Sequence, residues 1–339
     1  MDLNIRKLAQ LAGTSYSTVS RALNDSPLVK ETTKRRIQEL AQQLGYHVDF
    51  SAKSLATGMR MIVGLVYPFH SLRPYESVYT SQAIGRMRHA LAQHGLDALV
   101  AGYGSSDRAE DDITRLIRQK KVDGLIIFGY EVSEEQIESL RALGSPFLLI
   151  NPSPTTAAEL CHQIRIDHEL GGYLAGERLI RAGRRRLLSV TEVGQQFQVR
   201  AQGFQRAVEE TETGATGPIH RETLTLQNGL FATAYDAIAR NLKWVSGFDG
   251  VFVQSDISSI GVLNCLLDHG VSVPRDISVI GYDDIEWAQY TRPALTTIHQ
   301  PVQEVAQLAT EGIVSMITGD QSELFAKQLQ PILVDRESC

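Results

Sequence analysis

The side chains in this sequence with chemistry to offer are suited to recognition more than to reaction. Tyr16, Ser17, Ser20 and Arg21 bring three hydroxyls and one guanidinium to a single face of a segment that reads as a helix. At 3.6 residues per turn, Val19, Ala22 and Leu23 fall on the opposite face and can be buried. Ser15 stands where a helix N-cap belongs, and Gly13 where a preceding helix would end. Upstream, Ile5, Leu8, Ala9 and Ala12 form a second short apolar stripe, with Asn4 as its cap. Two short helices joined by a Gly-containing turn make a helix-turn-helix. Small polar groups and an Arg early in the second helix suit the reading of base edges in a major groove. Periodicity alone fits an ordinary helical hairpin with a solvated face equally well.

Other chemistries lack their residues. Gly102-Tyr103-Gly104 is not followed by Gly at the spacing of a dinucleotide fingerprint, and no phosphate-loop Gly-Lys-Ser/Thr occurs. His89 and His94 are five apart and share a helix face poorly. There is no Gly-x-Ser-x-Gly. Cys161, Cys265 and Cys339 are widely spaced, without metal spacing, and their odd number argues against a disulfide framework. No catalytic residue, metal site or cofactor is expected, so the chain is not expected to be an enzyme. A reduced, cytoplasmic location is expected, since no secretory signal and no run of 18 apolar residues is visible.

The run IRKLAQLAGTSYSTVSRALN (5–24) resembles the opening of the lactose-repressor family of bacterial regulators. Its Ala-Gly-x-Ser-x-x-Thr-Val-Ser-Arg-x-Leu-Asn pattern is long and specific. The resemblance implies that Tyr16, Ser17 and Arg21 face bases. It implies that Ser15, Thr18 and Asn24 hold phosphates, with Thr33 at a further phosphate-contact position. Asn4 and Ser20 complete the expected DNA-contacting set of the head. Where the family usually has Ser or Thr, this chain has Lys30.

Charge supports a nucleic-acid contact confined to one end. Residues 1–60 hold nine Lys/Arg against five Asp/Glu, and the rest of the chain holds 24 against 34. A basic head on an acidic body keeps the body away from DNA. After the Asn24-Asp25-Ser26-Pro27 turn, Ile37, Leu40, Ala41 and Leu44 recur at helical spacing up to Gly45. Lys30, Lys34, Arg35 and Arg36 on this third helix read mostly as a solvated face. Residues 46–60 read as a linker. Within it, Ser51–Ala56 is too short to be a stable helix alone, and a flexible tether is the plain reading. The resemblance implies instead a hinge helix that folds on DNA, with Leu55 wedged into the minor groove and Ala52 beside it.

From Met61 onward short apolar strands alternate with helical stretches, the pattern of parallel sheets covered on both faces. The expected fold is a small all-α helix-turn-helix head plus an α/β two-lobe, periplasmic-binding-protein-like body. The expected domains are 1–45, the linker 46–60, and a body over 61–339. Its first lobe would take about 61–160 and 291–320, and its second about 161–290 and 321–339. The family pattern continues in Arg200-x-x-Gly203-Phe204, in Ser255-Asp256, in 274–284 and in 293–301. The leucine heptad helix that makes some members tetramers is absent, so a homodimer is expected.

Ligands in such sheets bind beyond the carboxyl ends of the strands. Asp283 lies just past a strand end, where it can accept two hydroxyl hydrogen bonds, whereas its neighbour Asp284 reads better as a turn or cap residue. Arg200 opens a helix after a strand, and a buried Arg needs a polar partner. Asn151 ends a first-lobe strand where the family often has Asp, and Ser255 stands where it usually has Asn. Tyr79, Phe128, Gln196 and Trp287 are further candidates to line the cleft. The expected function is a sequence-specific, operator-binding transcriptional regulator, a repressor, controlled by a small polar effector such as a sugar or sugar derivative. The alternative effector is a purine or other small metabolite acting as co-repressor. Outside DNA binding, the alternative is a cytoplasmic small-molecule binding protein.

Overall fold

The computed structural model describes residues 4–23, 26–46, 58–68, 78–103, 112–128, 134–152, 161–212, 217–319 and 323–339. The chain forms two compact units, Met1–Met61 and Ile62–Cys339. Asn24, Ala52 and Leu55 lie outside the described residues.

In the first unit, helices α1 (Ile5–Leu11), α2 (Tyr16–Leu23) and α3 (Glu31–Gln43) enclose a small core. The apolar stripes supply it: Leu8, Val19, Ala22 and Ile37 are fully buried, with Ala9 and Ala41 beside them. Asn4 caps α1, its Oδ1 accepting from Lys7 N at 3.0 Å. Gly13 takes φ +63° between the first two helices, a left-handed conformation that glycine adopts at no steric cost. The basic set on α3 is mostly solvated, with Lys30, Arg35 and Arg36 exposed, and two of its members also serve structure. Lys34 is buried and pairs with Glu31 at 3.3 Å. Arg36 Nη2 donates to the Ala12 carbonyl at the end of α1, at 2.9 Å.

The second unit holds strands β1 (Ile62–Pro68), β2 (Asp97–Tyr103), β3 (Gly124–Phe128), β4 (Phe147–Ile150), β5 (Gln163–Ile166) and β6 (Arg186–Glu192). It continues with β7 (His220–Leu226), β8 (Gly250–Val253), β9 (Ser278–Asp283), β10 (Thr296–His299), β11 (Ala326–Leu329) and β12 (Ile332–Val334). Its helices are α4 (Val78–Gln93), α5 (Asp112–Arg118), α6 (Glu134–Ala142), α7 (His168–Arg181) and α8 (Gln195–Glu212). After them come α9 (Phe231–Arg240), α10 (Leu242–Val245), α11 (Asp256–Asp268) and α12 (Val302–Thr318). Two six-stranded sheets result, in the orders β11-β5-β4-β3-β1-β2 and β12-β10-β9-β8-β6-β7. Every recorded strand pair is parallel except β10 with β12. The inner strands are buried on both faces, which is why β1, β3 and β8 read as continuous apolar runs.

The allocation of segments to lobes differs from the expected boundaries. β5 was expected to begin the second lobe, yet it pairs with β4 in the first sheet. β10 falls within 291–320, expected in the first lobe, yet it pairs with β9 in the second sheet. The chain crosses to the first lobe only after Gln300, where α12 packs on α4, β3 and β4. β11, expected in the second lobe, pairs with β5 in the first, and β12 alone then returns to the second sheet. Apolar alternation marks a strand but carries no information on which sheet will hydrogen-bond it.

Helices α7 and α8 of the second lobe cross backbone to backbone. A Cβ on Gly172 would overlap the Arg200 carbonyl oxygen, and one on Gly203 would overlap the Glu169 carbonyl oxygen. This contact fixes the helix that carries Arg200. Gly203→Ala therefore pits a helix-propensity gain of about 1 kcal/mol against a steric clash between two backbones. The expected net result is a loss of about 1–3 kcal/mol or more. Urea unfolding of the full chain, followed by circular dichroism, checks the sign.

Candidate functional site

Two surfaces carry the candidate residues, one in each unit. In the helical unit, the face of α2 opposite the core is polar and open. Ser15, Tyr16, Ser17 and Arg21 are exposed, Tyr16 at 53%, while Thr18 and Ser20 are half-buried. Ser15 holds the start of the helix: its Oγ accepts from Thr18 N at 3.2 Å and lies 2.9 Å from Ser17 Oγ and 2.8 Å from Thr18 Oγ1. Such a cap satisfies one of the unpaired N–H groups of the first turn. Thr33 is half-buried in the first turn of α3, its N–H bonded to the Lys30 carbonyl.

In the second unit, a cavity of about 410 Å³ lies at the carboxyl ends of strands from both sheets. From the first sheet and its helix α4 come Tyr67, Pro68, Phe128, Tyr79 and Thr80. From the second come Glu192, Arg200, Ser255 and Asp283, with Gln300 at the crossover. Six of the residues selected from sequence meet here: Arg200, Asp283, Ser255, Phe128, Tyr79 and Gln196.

Arg200 is 5% exposed. Its Nη1 donates to the Gln254 carbonyl at 2.6 Å, and its guanidinium carbon stands 3.7 Å from the centre of the Tyr282 ring. Its Nε finds no partner among the described residues. Tyr282 is held in turn by His168, Oη to Nδ1 at 2.9 Å. Burial, and then the Arg200 charge, push the His168 imidazole well below its usual range, so the ring is neutral.

Asp283 ends β9 with φ +121°, followed by Asp284 at φ +57°. Both are conformations that cost a non-glycine residue about 1–3 kcal/mol and tend to occur at functional sites. Asp283 Oδ1 accepts from Gln300 Nε2 at 2.6 Å. Burial raises its carboxyl to about 6, against the opposing pull of Arg200 and the Gln300 hydrogen bond. Asp256 lies fully buried behind it, accepting from Thr297 Oγ1 at 2.6 Å and Ile285 N at 2.9 Å. Desolvation, and then the Asp283 charge, push Asp256 upward as well. Ser255 stands at the N-cap position of the helix that Asp256 opens, without a side-chain capping bond, and its carbonyl accepts from Ser259 Oγ at 2.7 Å. Phe128 stacks on Tyr67, ring centres 4.1 Å apart, as part of the first-lobe wall.

Two candidates are placed elsewhere. Asn151 is absent from the cavity wall: it is buried at φ +48°, and its Oδ1 accepts from Ile166 N at 2.6 Å, tying β4 to β5. The left-handed turn directs this amide to the neighbouring strand. Trp287, 56% exposed on the 3-10 turn Glu286–Tyr290, is also absent from the wall. Asp284 is neither ligand-facing nor a simple cap. It pairs with Arg336 at 2.6 Å and His299 at 2.9 Å, which lower its carboxyl despite partial burial. Sequence reasoning missed Glu192, Gln300, Tyr67 and Phe197. Glu192 and Tyr67 stand at strand ends, the same signal that selected Asp283.

Among the described residues, no group of His, Cys, Asp and Glu could hold a metal ion. No described helix is long and apolar enough to cross a membrane.

Comparison with known proteins places both units. Residues 4–49 match the family profile of bacterial regulatory proteins, lacI family, and residues 177–339 match that of the periplasmic binding protein-like domain. The HTH-type transcriptional repressor PurR of Vibrio vulnificus is 28% identical over 337 residues, 98% of each chain. The lac repressor dimer bound to operator and the anti-inducer ONPF has the same fold, with a TM-score of 0.80 at 22% identity over 100% of this chain and 99% of that one. A LacI family transcriptional regulator from Enterococcus faecium with bound ribose covers 82% of this chain and 98% of its own, at 26% identity and a TM-score of 0.69. A helix-turn-helix unit joined to a two-sheet body with a cleft at its strand ends defines a DNA-binding transcriptional regulator of the effector-binding class. The chain belongs to the lactose-repressor family of bacterial regulatory proteins.

Proposed function

We propose that this regulator is a repressor that acts as a homodimer on a pseudo-palindromic operator, and that a small polar effector in the cleft sets its affinity for DNA. The observation that carries this reading is the composition of the cavity wall, which both sheets supply. A ligand shifts a two-state protein only by its differential affinity for the two states. A ligand that touches both walls makes its full set of contacts only when the lobes are closed.

Within the cleft, Arg200, Asp283 and Gln300 offer the directional polar contacts that a polyhydroxylated ligand needs. Tyr67 and Phe128 offer apolar surface. A sugar or sugar derivative fits this set, and the ribose bound by the Enterococcus relative supports it. The stacked Tyr67–Phe128 pair favours a second reading, a flat heteroaromatic base such as a purine. In either case the cleft binds without turning its ligand over.

On the head, we assign Tyr16, Ser17 and Arg21 to bases, and Ser15, Thr18 and Thr33 to phosphates. Asn4 and Ser20 support the same surface, and Asn24, Ala52 and Leu55 extend it in sequence. Arg21→Ala should remove a bidentate base contact worth about 1–3 kcal/mol of discrimination. Operator binding should fall far more than binding to random DNA in a fluorescence-anisotropy titration. An equal loss on both would reassign Arg21 to phosphates.

Sedimentation should give roughly twice the 37.5 kDa of one chain. A stable monomer protecting a full operator would contradict the dimer.

The cleft assignment is tested by operator affinity with and without effector. Coupling of this kind is typically about 1–3 kcal/mol, or roughly 5–150-fold in DNA affinity. Asp283→Ala should abolish the response while leaving effector-free DNA affinity nearly intact. A full response in that variant would remove Asp283 from the ligand site.

A further inference from the structure

Glu192 occupies an unusual position in the cleft. It is the last residue of β6, in register with Leu226 at the end of β7. The loop that follows β7 passes directly over it at Gly229. A Cβ on Gly229 would lie 2.5 Å from Glu192 Oε1 and 2.8 Å from Oε2, so the carboxylate rests where a side chain at that position would have to displace it. The carboxylate thus lies between its own strand end and a bare Cα. It is part of the cavity wall. No described residue donates a hydrogen bond to it.

The rest of the wall shows the same imbalance. Gln300 is 1% exposed, and its Nε2 is committed to Asp283 Oδ1. That bond fixes the amide's orientation and leaves Oε1 as a buried acceptor without a partner among the described residues. Among the described wall residues, Arg200 is the one cation, facing Glu192 and Asp283. Its guanidinium is already stacked on Tyr282 and bonded to Gln254, with Nε bare. Among the described wall residues the charged groups are therefore two carboxyls, Glu192 and Asp283, against the single cation Arg200, with Gln300 Oε1 a further buried acceptor and Arg200 Nε a bare donor. Buried polar atoms left unpaired cost about 1–3 kcal/mol each, so these atoms specify what should meet them.

We infer that Glu192 sets the charge class of the effector: the cleft takes a ligand rich in hydrogen-bond donors, neutral or carrying an amino group against Glu192, and refuses anions such as phosphate esters and carboxylates. This rests on the reading of the cleft as the effector site. An anion would set acceptor against acceptor and like charge against like charge where water screens poorly. The charged groups facing Glu192 are Arg200 from α8, which favours its ionised form, and Asp283 from β9, which opposes it. Burial, with the Asp283 charge acting in the same direction, outweighs Arg200 and raises the carboxyl to about 7. Near neutral pH it therefore exchanges between the two forms, and an amino group would bind the ionised form with release of a proton.

The test uses the full-length chain, its Glu192→Gln variant, and Asp283→Asn as a control for location. The first arm needs no ligand. A carboxyl raised in the folded state contributes stability at low pH that is lost as pH climbs through the folded value. Thermal unfolding should therefore show Glu192→Gln gaining stability relative to the wild type between about pH 5 and pH 8. A difference that does not change with pH overturns the inference. The second arm measures thermal shifts with matched probes: glucose, glucosamine and glucose 6-phosphate; ribose and ribose 5-phosphate; adenine and adenosine 5′-monophosphate. The neutral or amino member of a series should bind at least about tenfold more tightly than its anionic partner, and Glu192→Gln should narrow that gap. Preference for the phosphate ester, or an unchanged gap in the variant, overturns the inference. A probe whose shift survives Asp283→Asn sits outside the cleft, and then the effector-site reading fails and this inference with it. A wild type whose unfolding none of these probes shifts overturns the inference as well.

Discussion

A guanidinium removed from water needs compensating partners, and the second lobe is arranged around one. Arg200 is buried on the face of Tyr282, with one nitrogen on the Gln254 carbonyl. Its backbone is set by the glycine contact between α7 and α8, since the Arg200 carbonyl occupies the space a Gly172 side chain would fill. The Tyr282 ring is set by His168, the first residue of the helix that follows the crossover from β5. One buried cation thus ties together the crossover, the strand that ends in Asp283 and the helix behind the cleft. An attractive stack of this kind is worth about 2 kcal/mol or more when desolvated, and removing one partner exposes the full desolvation cost of the other.

The acidic side of the cleft answers that cation. Glu192, Asp283 and Asp256 are all raised, primarily by burial, while Asp284, one residue along, is lowered. The difference is one of partners. Asp284 turns toward Arg336 and His299 and is fully compensated. The two successive left-handed residues at the end of β9 separate these roles by sending adjacent carboxylates to different surroundings. The backbone strain there is sustained because Gln300 bonds Asp283, Arg336 bonds Asp284, and the next residue, Ile285, donates its N–H to Asp256. A binding site whose polar atoms are already positioned pays less ordering entropy when the ligand arrives.

The helical unit solves a different problem at small scale. Three short helices cannot bury much surface, so side chains of α3 also close helix ends: Arg36 on the Ala12 carbonyl and Gln38 on the Ala22 carbonyl. Arg36 keeps its exposure while making this bond, as Arg21 and Arg35 are exposed too. Rigid helix ends keep the polar face of α2 in one geometry, which base reading requires because hydrogen bonds to base edges tolerate little misplacement.

Much of this organisation is written locally. The helix-turn-helix is legible because its caps, its glycine and its apolar faces lie within twenty-odd neighbouring residues, and 3.6-residue periodicity converts directly into burial. The strands are legible because a strand buried on both faces must be an apolar run. Arg200 and Asp283 follow from strand-end position together with family pattern. What needed the tertiary structure was every relation between segments distant in sequence. Nothing in Gln163–Ile166 or Ala326–Leu329 states which sheet will pair them, because backbone hydrogen bonds are the same for any neighbour. Asn151 satisfied the strand-end rule and was still withdrawn, since a left-handed φ at one residue turned its amide to Ile166. Glu192 satisfied the same rule, but its meaning depends on Gly229, Arg200 and Asp283, which the chain brings to it from three other elements. Sequence determined the elements and their solvent-facing sides, because those are set by neighbours along the chain. Tertiary structure decided which charges remain unpaired in the cleft, because desolvation and partnership are properties of the assembled interior.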